Sequence, residues 1–208
     1  LEAYKGPFAA SIFSQEFYET DASRGAVRGL QLMQIRGDGP LGTAIGRYLP
    51  QIPWGEDHHD RLLARLGRTA TLTVTTEDLP RESNHVSLDP DLVDSSGIAC
   101  PALHYEIDDN TWTLLDFGSE RAQEVFNEAG ATEVVPQRVV PGTGFHLLGT
   151  AKMGSDPASS VVDRFGQAHD VPNLFVVDGS TFVTAAALNP TSTIQALALR
   201  TADHIIAT

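Results

Sequence analysis

Hydrophobic and polar residues alternate in several short stretches through the first two thirds of the chain, and this period of two predicts strands. Residues 10–13 (ASIF) and 26–35 (AVRGLQLMQI) are two of them. In the second, Leu30 and Leu32 fall on one side and Gln31 and Met33 on the other. Residues 68–80 (RTATLTVTTEDLP) form a Thr- and Val-rich run that ends in a turn at Pro80. HVSL (85–88) and ALHYEI (102–107) follow as strands, parted by a polar loop with Asp89 and Pro90. Helical patterning is weak at 41–49 and 57–66. It is clear over 111–129, where Leu114, Leu115, Val125 and Phe126 are among the apolar positions and Gly130 is the expected stop. TEVV (132–135) predicts one more short strand.

The pattern changes near residue 140. Residues 141–156 (PGTGFHLLGTAKMGSD) are rich in Gly and show little periodicity. NLFVVDGS (173–180) is a continuous apolar run, as in a strand buried on both faces. Asn189 and Pro190 then open a helix reaching to about residue 206, with Asn suited to the cap and Pro to the first helical position. The fold class expected is mixed, α+β or α/β, with a strand-rich block over 1–140 and a Gly-rich block over 141–208 that ends in strand and helix.

Charge narrows the function classes. Lys and Arg total 14 and Asp and Glu total 27, so the 208-residue chain carries a formal charge of −13. A nucleic-acid partner needs clustered cations to replace phosphate counterions, so none is expected. A 41% hydrophobic share fits a folded protein. No apolar run is long enough for a transmembrane segment. Cys100 is the single cysteine, so no internal disulfide can form. The chain begins LEAYKGPF, without Met or a leader, and Leu1 is read as an internal cut. A cytoplasmic location is the expectation.

Most motif-like stretches have ordinary readings. Gly37, Gly39 and Gly42 in GDGPLG match G-x-G-x-x-G in letters. The polar-interrupted strand before them and the short segment after them point to a surface turn rather than a dinucleotide site. Asp57-His58-His59-Asp60 has no metal-binding spacing around it and reads as an acidic loop, so no metal is expected. Cys100, without a nearby cation, reads as a buried small hydrophobe. No G-x-S-x-G elbow is present for a serine hydrolase, and Asp163, Asp170 and Asp178 are single acids in an acidic chain. His146 lies between Gly144 and Gly149, where small neighbours allow close approach. By local chemistry it is either a core histidine or a general base. Asn189 is either a helix cap or a group placed beside a cofactor that becomes anionic.

Taken together, HLLGTAKMG and SVVDRFGQAHDVPNLFVVDGSTFVTAAALNPTSTIQALALRTADHI resemble the C-terminal signature of the glucose–methanol–choline (GMC) family of FAD-dependent oxidoreductases. The matching elements are H-x-x-G-T-x-x-M-G, V-V-D, N-L-F-V-x-D-G-S and N-P-T-x-T-I, in order, before a closing helix. EDLPRESNHVSLDP and GIACPALHYEIDDNTW also resemble strands of that family's substrate domain.

The resemblance implies a GMC-type fold. Residues 1–140 would be mostly substrate-binding domain. Residues 141–208 would return into a Rossmann-like FAD-binding domain as its last strand and helix. It implies FAD as cofactor and a small alcohol, sugar or glycoside as substrate. His146 would take the hydroxyl proton, Asn189 would hold the substrate oxygen, and hydride would pass to flavin N5. Asp178 and Gly179 would touch the diphosphate–ribityl region, and Pro190 and Thr191 the flavin pyrimidine edge. The family's FAD-binding β-α-β fingerprint is not in this chain, so the chain is read as a C-terminal fragment whose partner is the N-terminal FAD-binding portion of the same protein. The other readings are a flavoprotein lyase of the same fold, a non-catalytic module that keeps the shell, and an NAD-binding protein using GDGPLG. Oligomeric state is left open.

Overall fold

In the computed structural model, which describes residues 5, 11–46, 50–139 and 144–208, the alternating LQLMQI run forms β2 (Leu30–Ile35). It is the central strand of a three-stranded antiparallel sheet, between β1 (Ile12–Ser14) and β3 (Thr71–Thr76). The register sets Leu30 opposite Thr76 and Ile35 opposite Thr71. The strand starts at Leu30, later than its pattern predicts, because Gly25 and Arg28 hold φ of 72° and 71° and turn the chain before it. Gln31 is as buried as its neighbours Leu30 and Leu32, so both faces of β2 are covered. The helices are α1 (Pro40–Ile45), α2 (His58–Arg65), α3 (Asp109–Glu128) and α4 (Thr191–Ala207). Residue 10 of the first predicted strand and residues 47–49 of the first predicted helix lie outside the described residues.

Internal contacts divide the chain into two compact units. One holds Leu1–Thr76 and Trp112–Thr143, the other Glu77–Thr111 and Gly144–Thr208. The block boundary expected at 140–141 lies outside the described residues.

In the first unit, α3 buries Leu114, Gly118 and Ala122, three positions spaced four apart and therefore on one helix face. Leu30, Leu32 and Ala122 form the core, flanked by Phe17, Leu72, Val74 and Phe117. Gly118 permits this approach: a Cβ there would collide with Val74 Cγ1 and lie 2.9 Å from Leu30 Cδ2. Helix propensity favours Ala over Gly by about 1 kcal/mol, whereas overpacking a filled core costs about 1–3 kcal/mol. Val74 is stiff at χ1 and Leu30 has no exposed surface to move into. Gly118→Ala is therefore expected to destabilise the protein, and denaturant unfolding measures it.

In the second unit, β4 (His85–Val93) and β5 (Ala99–His104) pair antiparallel, with His85 opposite His104. The polar loop expected at Asp89-Pro90 is instead a bulge inside β4, where the register shifts between Leu88 and Val93. Pro90 cannot donate to a ladder, and Asp89 Oδ1 accepts from the amides of Asp91 and Leu92 at 2.9 and 2.8 Å. The strand expected over 102–107 ends at His104. Beyond it the Asn84 side chain takes both backbone groups of Glu106, at 3.0 Å each, in place of a strand partner.

Two predicted strands are corrected. Residues 132–135 form no strand; Pro136 follows them, and Glu133 reaches Arg65 at 3.3 Å. Residues 173–180 are not a doubly buried strand either, with Leu174 and Val177 49% and 47% exposed. Leu174 and Val176 pair with 166–168, through Ala168 N to Leu174 O and Val176 N to Gly166 O, while Gly179 and Ser180 at the end of the run accept from Gly149 N and Ala151 N. Among the described residues, 174–176 has no second ladder, which a strand buried on both faces needs. The mixed fold class holds, with antiparallel sheets in both units. No helix among the described residues is long and apolar enough to cross a membrane.

Candidate active site

Gly179 is where the C-terminal motifs meet. It opens a short 3₁₀ turn, Gly179–Thr181, whose start is capped by Asp178. Asp178 Oδ1 accepts from Ser180 N at 2.8 Å and from Ser180 Oγ at 2.5 Å. Residues 149–153, which turn at Thr150 and Ala151, lie along this turn. Gly149 N donates to Gly179 O at 3.3 Å, Ala151 N to Ser180 O at 2.9 Å and Met153 N to Thr181 O at 2.9 Å. Gly179 itself is buried: a Cβ there would lie 2.7 Å from Leu148 Cδ2, 3.1 Å from Leu147 O and 3.3 Å from Ile194 Cδ1. The residues after His146, the D-G-S turn and the first turn of α4 therefore converge on one small residue.

The Ser180 hydroxyl and then its amide hold the Asp178 carboxyl below its ordinary value. A carboxylate depressed in the folded state stabilises above its unfolded pKa, and this contribution is lost as pH falls through the folded-state value. Asp178→Ala is thus expected to weaken the protein at neutral pH. The deficit should shrink through and below the carboxylate range, read by unfolding at a series of pH values.

α4 corrects one assignment. Pro190, not Asn189, is the N-cap, and no side chain caps the helix. Asn189 is exposed, one residue before the cap, and is released from the capping role its position suggests. Pro190 O accepts from Ile194 N at 3.0 Å, while Thr191, Ser192 and Thr193 are exposed at the helix start. Further along, Thr201 Oγ1 donates to Phe165 O at 2.8 Å, and the Phe165 ring stacks on His204 at 3.9 Å. The V-V-D motif builds the turn that presents Phe165. Asp163 Oδ1 accepts from Phe165 N and Gln167 N, and Gly166 takes a φ of 76° beside Val176 O.

His146 is exposed, so it is not a core histidine. No hydrogen bond between described residues joins it to Asn189. The residues that follow His146, Leu147 and Leu148, and Ile194 of α4 lie around the same Gly179 position.

The other motifs stay outside this cluster. GDGPLG ends in α1, a helix of six residues. Asp38 Oδ1 would lie 2.8 Å from a Cβ at Gly42, so a carboxylate occupies the place a phosphate would need. His58 stacks on Trp54 at 4.3 Å and its Nδ1 contacts Pro53 O at 3.2 Å. Among the described residues no group of three or more His, Cys, Asp or Glu is placed to hold a metal. Cys100 is a free thiol, half-buried rather than buried.

One polar pair was not singled out by sequence. Glu77 is 8% exposed, and Thr184 Oγ1 donates to its Oε1 at 3.1 Å. The signal was present in TTEDLP, where a carboxylate directly follows a Thr/Val strand. Beside it, Asp78 accepts from Tyr105 Oη and, at 2.7 Å, from Thr111 Oγ1.

Comparison with known proteins agrees with the motif cluster. The family model described as GMC oxidoreductase matches residues 80–198, more than half of the chain. The chain is 42% identical over 207 residues to 2-methyl-1,2-propanediol dehydrogenase of Mycolicibacterium austroafricanum, covering 99% of this chain and 38% of that protein. It is 30% identical over 204 residues to paromamine 6'-oxidase of Streptomyces fradiae, covering 98% of this chain and 34% of that protein. It is 38% identical over 133 residues to 6'''-hydroxyparomomycin C oxidase of Streptomyces lividus, covering 62% and 23%. The chain thus spans little more than a third of the length of the relatives it matches from end to end. With the motifs gathered at Gly179 and the family model lying across them, the chain belongs to the GMC oxidoreductase family.

Proposed function

We propose that this chain is the C-terminal part of an FAD-dependent oxidoreductase acting on a CH–OH group of an alcohol, sugar or glycoside. The observation that carries the reading is the convergence of the His146 segment, the D-G-S turn and the α4 start on Gly179. Relatives named for a propanediol and for paromamine support the substrate class. In this reading residues 1–140 are mostly substrate-binding, and residues 141–208 return into an FAD-binding domain completed by an N-terminal portion of the same protein.

The donors present suit a flavin. The uncapped start of α4 has backbone N–H groups without intrahelical partners and the positive end of a helix dipole, next to Pro190 and Thr191. These would face the pyrimidine edge, where negative charge develops. Exposed Asp178 would accept from hydroxyls of the diphosphate–ribityl region, and Gly179 keeps that turn close to the His146 segment. Bound FAD supplies the hydride acceptor, at N5. His146 takes the substrate hydroxyl proton on an imidazole nitrogen, which needs an accessible ring, and the exposed ring meets that need. Asn189 donates its side-chain amide N–H to the same oxygen and orients the carbinol carbon. Because the second residue is Asn, one imidazole carries the proton work.

The full-length protein, supplied with FAD, is expected to retain flavin and to convert one member of a panel of diols, sugars and glycosides into a product lacking two hydrogens. Mass spectrometry of the product decides. Carbon–carbon cleavage of a cyanohydrin without net oxidation would move the assignment to a lyase. No flavin retention and no product would leave a non-catalytic shell.

A further inference from the structure

The loop that delivers Asn189 to the start of α4 has little backbone support of its own. Between Phe182 and Asn189 the sequence is small and apolar, VTAAAL. Among the described residues, the backbone bond within this stretch is a tight one from Leu188 N to Ala186 O, at 2.6 Å. Ala187 is 1% exposed and packs, but an alanine specifies position weakly. Among the described residues, the Thr184 hydroxyl makes a directional contact that reaches out of the loop. It lies 3.1 Å from Glu77 Oε1 and 3.4 Å from Ala185 O, so the carboxylate is the nearer acceptor. Glu77 is itself just over nine-tenths buried, directly after β3, and a hydrogen bond to a buried carboxylate is stronger than one between neutral groups. The next residue, Asp78, is tied to Tyr105 and to Thr111 at the head of α3. Glu77 therefore sits at an anchored point of the chain, and the loop is hung from it.

We propose that Glu77 is a positioning residue for substrate oxidation: its buried carboxylate, through the Thr184 hydroxyl, fixes the 182–189 loop and so sets where Asn189 presents its side chain. The inference rests on the reading of Asn189 given above. Neither Glu77 nor Thr184 touches substrate in this account; both act through Asn189.

The test uses full-length, FAD-loaded protein and the alcohol or sugar it oxidises. Thr184→Val removes the donor and nearly keeps the shape. It is expected to lower kcat/KM by roughly tenfold or more, and Thr184→Ser, which keeps a hydroxyl, to recover most of it. The deciding comparison is a double-mutant cycle. If Thr184 acts through Asn189, Thr184→Val costs little in an Asn189→Ala background; independent structural damage would multiply the two losses. Hydrogen exchange gives a readout apart from activity: Thr184→Val should speed exchange across 182–189 and leave 85–104 unchanged. Multiplying losses, or unchanged exchange across the loop, would overturn the inference, as would an Asn189→Ala enzyme as active as the parent. Should Thr184→Val fail to hold FAD, Glu77→Gln, which keeps an acceptor oxygen and the volume, enters the same cycle. A parent protein that oxidises no CH–OH compound would sink the proposed function instead, and the exchange experiment would still decide whether Glu77 holds the loop.

Discussion

His146→Ala in the full-length protein is expected to slow anaerobic flavin reduction by its alcohol or sugar substrate by roughly 10²- to 10⁴-fold, the usual contribution of a positioned general base. Stability and flavin content should stay near the parent's. The reason for that split is on the surface. The imidazole is exposed and makes no hydrogen bond to another described residue, so its loss leaves no cavity and no orphaned partner. Substitutions of this kind usually move stability by within about 0.5 kcal/mol. The lost rate should return in part at alkaline pH, where solvent base can take over proton removal. An unchanged reduction rate would remove His146 from the mechanism.

Gly179→Val is expected to produce the reverse profile, with structure failing first. The position has no room on three sides: Leu148 Cδ2, Leu147 O and Ile194 Cδ1 lie 2.7, 3.1 and 3.3 Å from where a Cβ would be. Leu148 Cδ2 is a side-chain end and can swing away, but Leu147 O is backbone and can move only with its segment. Valine adds two further methyl groups to this junction. Overpacking of this kind costs about 1–3 kcal/mol, and the upper end is expected here. The displaced parts are the residue after His146 and the first turn of α4, so flavin retention and turnover should fall with stability. Unfolding by denaturant and flavin content per chain measure both. A Gly179→Val protein with the parent's stability and flavin content would show that the three segments do not pack as described.

Long helices and the central strand were legible in the sequence because their patterns agree with their packing. The period of α3 places Leu114, Gly118 and Ala122 on one face, and that face is the one buried. β2 carries its alternation into the core through Leu30 and Leu32. What misled was local chemistry without its neighbours. Asp89-Pro90 reads as a loop, yet an Asp that bonds two following amides makes it a bulge within β4. NLFVVDGS reads as doubly buried, but a strand of that kind needs two partners, and among the described residues its 174–176 part pairs with 166–168 alone. Asn189 reads as a cap because Asn-Pro so often opens a helix; here Pro190 holds that place.

The site was legible in a different way. No single residue marked the cluster at Gly179, whereas the ordered set from H-x-x-G-T to N-P-T-x-T-I names the segments that pack there. Gly149, Gly179 and Gly166 are the clearest case. The first and last adopt φ of 87° and 76°, and Gly179 is hemmed in by side chains from two other segments. Glu77 escaped notice because a lone carboxylate in an acidic chain has no periodicity to mark it; its role depends on Thr184, more than a hundred residues away.

The most direct measurement is the anaerobic visible spectrum of the full-length protein, recorded before and after addition of diols, sugars and primary alcohols. A flavin spectrum that one of these compounds bleaches, and that bleaches far more slowly in His146→Ala, is the predicted result. A protein that shows no flavin absorbance even after FAD is supplied would contradict the account.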